Sequence, residues 1–386
     1  MNKSLFVFAC LFLVSLFHCK PEDEPQGPVL TSLVIAASQG TRLDLSLQET
    51  TQLVATGRDA SNQTIQIDEP VTWQANNTNV SVDATGLVKS MAVGKSTITA
   101  RTGNVSKQIE LSVWDSSLPH TEIFISDAGP NYQAPWQILR VYDDGDYTEV
   151  FTSSNVGWPQ DIVVLESEGV VLVSNYTTND ITKFNLNDGA FLGVFATGLN
   201  APTRMEIGPD RLLYVLEWNG TGYVQRFQLD GTPLGRFTDA GVNESIGMAW
   251  DNQRNLYVSS FSQGNGSSFV RKFDRDGHDQ GYFIHTDLQG ATDIWFDGSD
   301  LLVNDYSLGV VKRFDQSGAF VSNFITGLNL NEGIDHLTNG NILIGNGGTH
   351  TVKLYTAGGA FIKDLIPMGT QGLATPNAVT VRNVIP

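Results

Sequence analysis

From Leu30 onward the chain is written in short alternating apolar–polar runs broken by turn residues. "SLVIAAS", "TTQLVATGRD", "VTWQANN", "VSVDATGLVKSMAVG", "KSTITART" and "KQIELSVW" follow one another up to Trp114. Alternation among β-branched residues predicts strands, and several of them with a turn signal about every ten residues predict a small β-sandwich. Trp73, inside one run, is its expected buried aromatic.

After a short polar stretch, "DSSLPH" (115–120), a second pattern begins and repeats. "VKRFDQSGAF" (311–320) has near-copies in "ITKFNLNDGAF" (181–191), "VQRFQLDGTPL" (224–234), "VRKFDRDGHDQ" (270–280) and "VKLYTAGGAF" (352–361). A weaker relative, "ILRVYDDGDY", occupies 138–147. The turn glycines Gly145, Gly189, Gly231, Gly277, Gly318 and Gly359 recur at roughly 40 to 46 residues, a spacing that signals propeller blades. Each unit adds an inner strand such as "DIVVLES" and a second strand ending in a polar–aromatic step: "VLVSNY", "LYVLEW", "LYVSSF", "LLVNDY". An outer strand such as "GAFLGVF" completes four strands per unit. "EIFISD" (122–127) opens the first unit with no inner strand before it, and "NAVTVRNV" (377–384) is left over at the other end. The leftover strand is expected to close the ring as the innermost strand of the first blade, leaving no open edge.

The expected fold class is therefore all-β: an Ig-like β-sandwich over 30–114, a linker at 115–120, and a six-bladed β-propeller over 121–386. The "LVIAAS" opening, "TTQLVAT", Trp73 and "VSVDATGLVKSMAVGKSTITA" resemble the bacterial Ig-like domains of group 2, which implies a spacer or adhesive role. Spacer is the expectation here. With "P-x-x-I" before an inner strand and "LYV" in the next, the blades resemble NHL-type six-bladed propellers. More distantly they resemble gluconolactonase and strictosidine-synthase-like propellers. Such folds host enzymes and binding platforms alike, so the likeness speaks for fold rather than activity.

The first residues change the picture of location. Lys3 precedes an apolar run from Leu5 to Phe17, too short to span a bilayer comfortably, and the run stops at Cys19 before the polar "KPEDEPQGP". This resembles a bacterial lipoprotein signal, which implies a leader over 1–19, acylation at Cys19 and a tether over 20–29. The chain is thus expected to be exported and held by a lipid anchor in the bacterial cell envelope, with the outer-membrane surface a candidate location. Cys10 and Cys19 are the two cysteines, so nothing after Cys19 can form a disulfide framework or a thiolate metal site. A net charge of −18 excludes phosphate-tracking nucleic-acid binding and disfavours an anionic membrane surface for the folded part.

In a propeller the start of each inner strand and the end of each second strand meet at one face of the central channel. Inner-strand starts are read at Gln160-Asp161, Thr203-Arg204, Ile246-Gly247, Thr292-Asp293, Glu332-Gly333 and Pro376-Asn377. Second strands deliver Asp127, Asn175-Tyr176, Glu217-Trp218, Ser260-Phe261, Asp305-Tyr306 and Asn346. Two chemistries compete for this set. In one, Tyr176, Trp218, Phe261 and Tyr306, with Arg204, form a non-enzymatic platform for an extracellular glycan, peptide or protein. In the other, the likeness to lactonase-type propellers implies a hydrolase in which Asp161, Asp293, Glu332 and Asn377 hold Ca²⁺ or another divalent cation. Arg204 within that ring counts against a metal, and His278, His285, His336 and His350 fall in separate contexts. "DRDGHD" (274–279) looks like part of a Ca²⁺ loop, but its siblings "NLNDG", "QLDG" and "DQSG" mark it as a hairpin turn.

Overall fold

A computed structural model describes residues 28–37, 45–46, 48–115, 119–142, 145, 147–261 and 268–385. The leader, Cys19 and most of the tether lie outside the described residues. Among the described residues no helix is long and apolar enough to cross a membrane. The chain divides between Val113 and Trp114 into two units.

The first unit is a sandwich. One sheet runs Ser32–Ala37, Thr50–Arg58, Leu87–Ser90, Val80–Val82, with Thr64–Ile65 paired to Thr50–Arg58; the other runs Leu45–Ser46, Val105–Trp114, Gly94–Thr102, Thr72–Ala75. Alternation sets the inner faces: Leu33 and Ile35 are buried while Val34 between them is exposed. Leu33, Leu53 and Val88 of one sheet meet Ile98, Ala100 and Leu111 of the other in a single core. Trp73 packs on this core but is only half-buried, because its strand lies at a sheet edge.

The second unit is six four-stranded antiparallel sheets. Blades 2 to 6 each run from the axis outward in chain order, beginning with Pro159–Leu165, Pro202–Ile207, Ser245–Trp250, Ala291–Asp297 and Asn331–His336. Blade 1 begins with Pro376–Val384, which pairs antiparallel with His120–Asp127. That strand also packs against both Asn331–His336 and Pro159–Leu165, so the six first strands form a closed ring. Arg382 fastens the closure, donating to Glu122 at 2.7 Å and to Glu166 of blade 2 at 2.6 and 2.9 Å.

Six apolar clusters fill the seams between blades rather than one common core. The aromatic of five of the six phrases sits in one: Phe184, Phe273 and Phe314 are fully buried, and Phe227 and Tyr355 nearly so. The phrase's glycine has a matching reason. Gly189, Gly231, Gly277, Gly318 and Gly359 all have positive φ, and an added Cβ would fall within 3.0 Å of a carbonyl oxygen on the outer strand of the preceding blade. Turn geometry and blade spacing both require glycine there.

Candidate functional site

The channel end is built by one device used six times. The residue leading into each first strand (Trp158, Ala201, Glu244, Gly290, Leu330 and Thr375) accepts a hydrogen bond at 2.8–3.1 Å from the residue leaving the second strand. The donors are Tyr176, Trp218, Phe261, Tyr306, Gly347 and Ala128 in turn. Immediately after, every first strand carries a register shift against its neighbour. A bulge re-aims side chains, and here it turns two successive residues, such as Gln160 and Asp161, toward the channel.

At the top stand six aromatics. Ring centroids lie 5.5 Å apart for Tyr132–Trp158, 4.7 Å for Trp158–Tyr176 and 6.5 Å for Tyr176–Trp218. The series continues at 5.6 Å for Trp218–Phe261 and 5.5 Å for Phe261–Tyr306. The Tyr132 and Tyr306 hydroxyls then hydrogen-bond to each other across blade 6, whose corresponding residue is Gly347. Neighbouring rings are inclined by 39° to 72°, the attitude of panels standing around an axis rather than tiles in one plane. They enclose a cavity of about 200 Å³ whose floor is Gln160, Ile246, Thr292, Glu332 and Asn377. Burial raises the pKa of both tyrosines, and nearby Glu332 adds to the effect.

One layer lower the equivalent positions are Asp161, Arg204, Gly247, Asp293, Gly333 and Ala378. Arg204 is 4% exposed and reaches across the channel, while a Cβ at Gly247 or Gly333 would fall within 3.0 Å of the adjacent first strand's backbone. Arg204 Nε donates to Asp293 Oδ1 at 2.8 Å, and its Nη2 to Glu332 Oε1 at 3.4 Å and the Asn377 carbonyl at 3.1 Å. Nη1 donates to the Gln160 carbonyl. One side chain thereby joins blades 1, 2, 3, 5 and 6. The carboxylates also bind backbone: Asp161 accepts from Met205 N at 2.6 Å and Asp293 from Ile334 N at 3.0 Å. The Asn377 amide, turned with its nitrogen toward Glu332, reaches both carboxylate oxygens at 3.0 and 2.7 Å.

One guanidinium cannot compensate this many buried acids. Burial pushes Asp161 and Glu332 up to about 7 despite the pull of Arg204, and pushes Glu206, near Asp161 and Asp293, up to about 8. Asp293 is raised for the same reason. Burial would lower Arg204, but Asp293, Glu332 and Asp161 outweigh it and hold the guanidinium above its ordinary value.

The structure thus brings Tyr176, Trp218, Phe261 and Tyr306 into one wall and adds Tyr132 and Trp158, which the sequence reading missed. Arg204, expected on the ligand face, lies beneath the floor with its donors used inside the protein. Asp161, Asp293, Glu332 and Asn377 do gather, but around that guanidinium. A divalent cation at the same centre would have to displace Arg204, so the donor set does not fit one as it stands. Asp127, Glu217 and Asp305, expected at the mouth, are buried and bind loop backbone: Asp127 accepts from Thr375 N, Glu217 from Asn200 N and Asp305 from Gln289 N. In blade 1 the paired positions are Asn377-Ala378, one residue on from Pro376-Asn377. Asp274, Asp276 and His278 are close enough to share an ion. Asp274 Oδ1 however accepts both Asp276 N and His278 N at 2.9 Å, the same turn that Asp315 makes with Ser317 and Ala319.

With this geometry in view, residues 41–113 match the bacterial Ig-like domain (group 2) family. The N-terminal unit is an Ig-like domain. Ice-binding protein 1 of Shewanella frigidimarina is 29% identical over 133 residues, 33% of this chain and only 15% of that protein's length. A chain of the nidogen/laminin complex superposes with a TM-score of 0.56 at 15% identity, covering 68% of this chain and 98% of its own. A protein of unknown function from Bacteroides caccae gives 0.53 at 13% identity with the same coverages. A gluconolactonase from Xanthomonas campestris gives 0.48 at 15% identity over 60% of this chain and 87% of its own, too loose a superposition to bear on activity. At such identities the likeness is one of fold.

Proposed function

We propose that the propeller is a non-enzymatic capture domain whose aromatic mouth holds part of an extracellular glycan, peptide or protein. The observation that carries this reading is the wall of six aromatics around a cavity. Trp and Tyr in such cavities are the usual anchors of binding, each worth about 2 kcal/mol or more when truncated. The metal-dependent hydrolase or lactonase alternative is weighed down by the engagement of Asp293 and Glu332 with Arg204. In this proposal Cys19 carries the acyl anchor and the Ig-like domain serves as a spacer.

Glycan and peptide arrays probed with the full chain test the capture reading. Trp218→Ala and Tyr306→Ala should each abolish most of the signal, and retention of full signal by both variants would overturn it. Cys19→Ala tests the anchor: the variant should move to the soluble fraction, and continued partition with membranes would refute acylation there.

A further inference from the structure

Wall and floor of the mouth differ in kind, and the difference selects a ligand chemistry. The wall is aromatic, and its polar atoms are the bridged Tyr132 and Tyr306 hydroxyls and the indole N–H groups of Trp158 and Trp218, that of Trp158 buried without a partner; the other polar groups are in the floor. Glu332 in the floor, with Asp161 and Asp293 one layer lower, faces a single cation, Arg204.

We propose that the mouth recognises an organic cation, an alkylated ammonium group such as trimethylammonium, seated among the six aromatic faces above Glu332. This names the ligand class of the capture reading and rests on it. Five neighbour spacings of 4.7 to 6.5 Å, with the sixth gap bridged by the Tyr132 and Tyr306 hydroxyls, make an enclosure small enough to bring a guest near several rings at once, on the scale of the roughly 6 Å from a ring centroid over which an aromatic face attracts a cation. Glu332 in the floor, raised to about 7 by burial, would be drawn toward its charged form by a cation above it.

Competing chemistries fit less well. A hexose presents hydroxyls around its whole equator, and an aromatic wall would leave them without partners. A carboxylate or phosphate would face the negative ring faces and would oppose ionisation of Glu332 in the floor. A trimethylammonium group is apolar in every direction yet charged, and asks for no hydrogen bond. A cavity of about 200 Å³ suits a group of that size rather than a drug-sized molecule.

The full chain is titrated with choline and with its neutral isostere 3,3-dimethyl-1-butanol at constant ionic strength, read by calorimetry and tryptophan fluorescence. Choline should saturate and the isostere should bind at least about tenfold more weakly, the factor that about 1.4 kcal/mol of cation–π attraction gives. Trp218→Ala should weaken choline by about tenfold or more, while Trp218→Phe, which keeps an aromatic face, should retain most of it. A melting curve for each variant confirms that it is folded. A peptide carrying Nε-trimethyllysine, run beside choline, distinguishes a side chain on a partner from a free solute. Equal binding of choline and isostere overturns the cation inference and leaves capture standing, provided Trp218→Ala removes both. Failure of choline to saturate also overturns it, whatever the arrays report about capture.

Discussion

Two layers of one channel, about one residue apart along each first strand, are put to opposite uses. In the layer around Arg204 the polar groups are spent on one another: the guanidinium meets Asp293, Glu332 and two carbonyls, and Asp161 and Asp293 accept backbone N–H groups from the next blade. In the layer above, five of the six aromatics are only half-buried, and their ring faces stand around a hollow. A satisfied buried cluster holds blades together and offers a ligand little.

The sharpest way to break this contrast is to remove the centre. Arg204→Ala leaves several buried acids without their cation, and stability should fall by about 3–5 kcal/mol, as when one partner of a buried ion pair is deleted. Chemical denaturation measures it. Replacing Arg204 by Met together with Asp293→Asn and Glu332→Gln should recover much of the loss, because the uncompensated charge goes with the cation. A wild-type-like midpoint for Arg204→Ala would make the lower layer ornamental.

A smaller effect should appear with pH. Asp161 and Glu332 stand at about 7 in the folded chain, above the ordinary carboxyl value of about 4. Between those values the folded state binds more protons than the unfolded one, so stability falls as pH rises through the window. The propeller's melting midpoint should be higher at pH 5 than at pH 8, and Glu332→Gln should flatten that slope. A midpoint that rises from pH 5 to pH 8 would contradict the assignment.

The smallest change in stability is expected in the upper layer. Trp218→Ala should cost about 1 kcal/mol or less, far below the roughly 3–5 kcal/mol typical of a fully buried tryptophan. A loss in that larger range would mean that Trp218 covers a seam rather than faces a guest.

The blades were legible because the strand–turn–strand phrase obeys local rules: a seam aromatic, an Asp, Asn or Ser turn, and a glycine at positive φ. The four wall aromatics that leave second strands were legible for the same reason, since they share one repeat position. Tyr132 and Trp158 were not. In blade 1 the shared position holds Ala128, and Tyr132 arrives from the turn Pro130–Tyr132 instead. Trp158 sits at the lead-in position, where its siblings are Ala201, Glu244, Gly290, Leu330 and Thr375, so no periodic pattern marks it. Arg204 was placed on the correct strand but at the wrong depth. Its length carries its head across the channel to partners on blades far away in sequence, which no local pattern marks. Asp127, Glu217 and Asp305 show the converse: their positions were right, but loop N–H groups need acceptors and claim them first.

Arg204 also decides the traffic. With its head bound to four other blades, the cavity ringed by aromatics and the one lined by Glu206, Asp335 and His336 are separate rooms. A guest must leave by the door through which it came. Nothing can be threaded through the channel from one side of the disc to the other, so a polymer could enter the mouth only by a terminus or by a group hanging from its backbone.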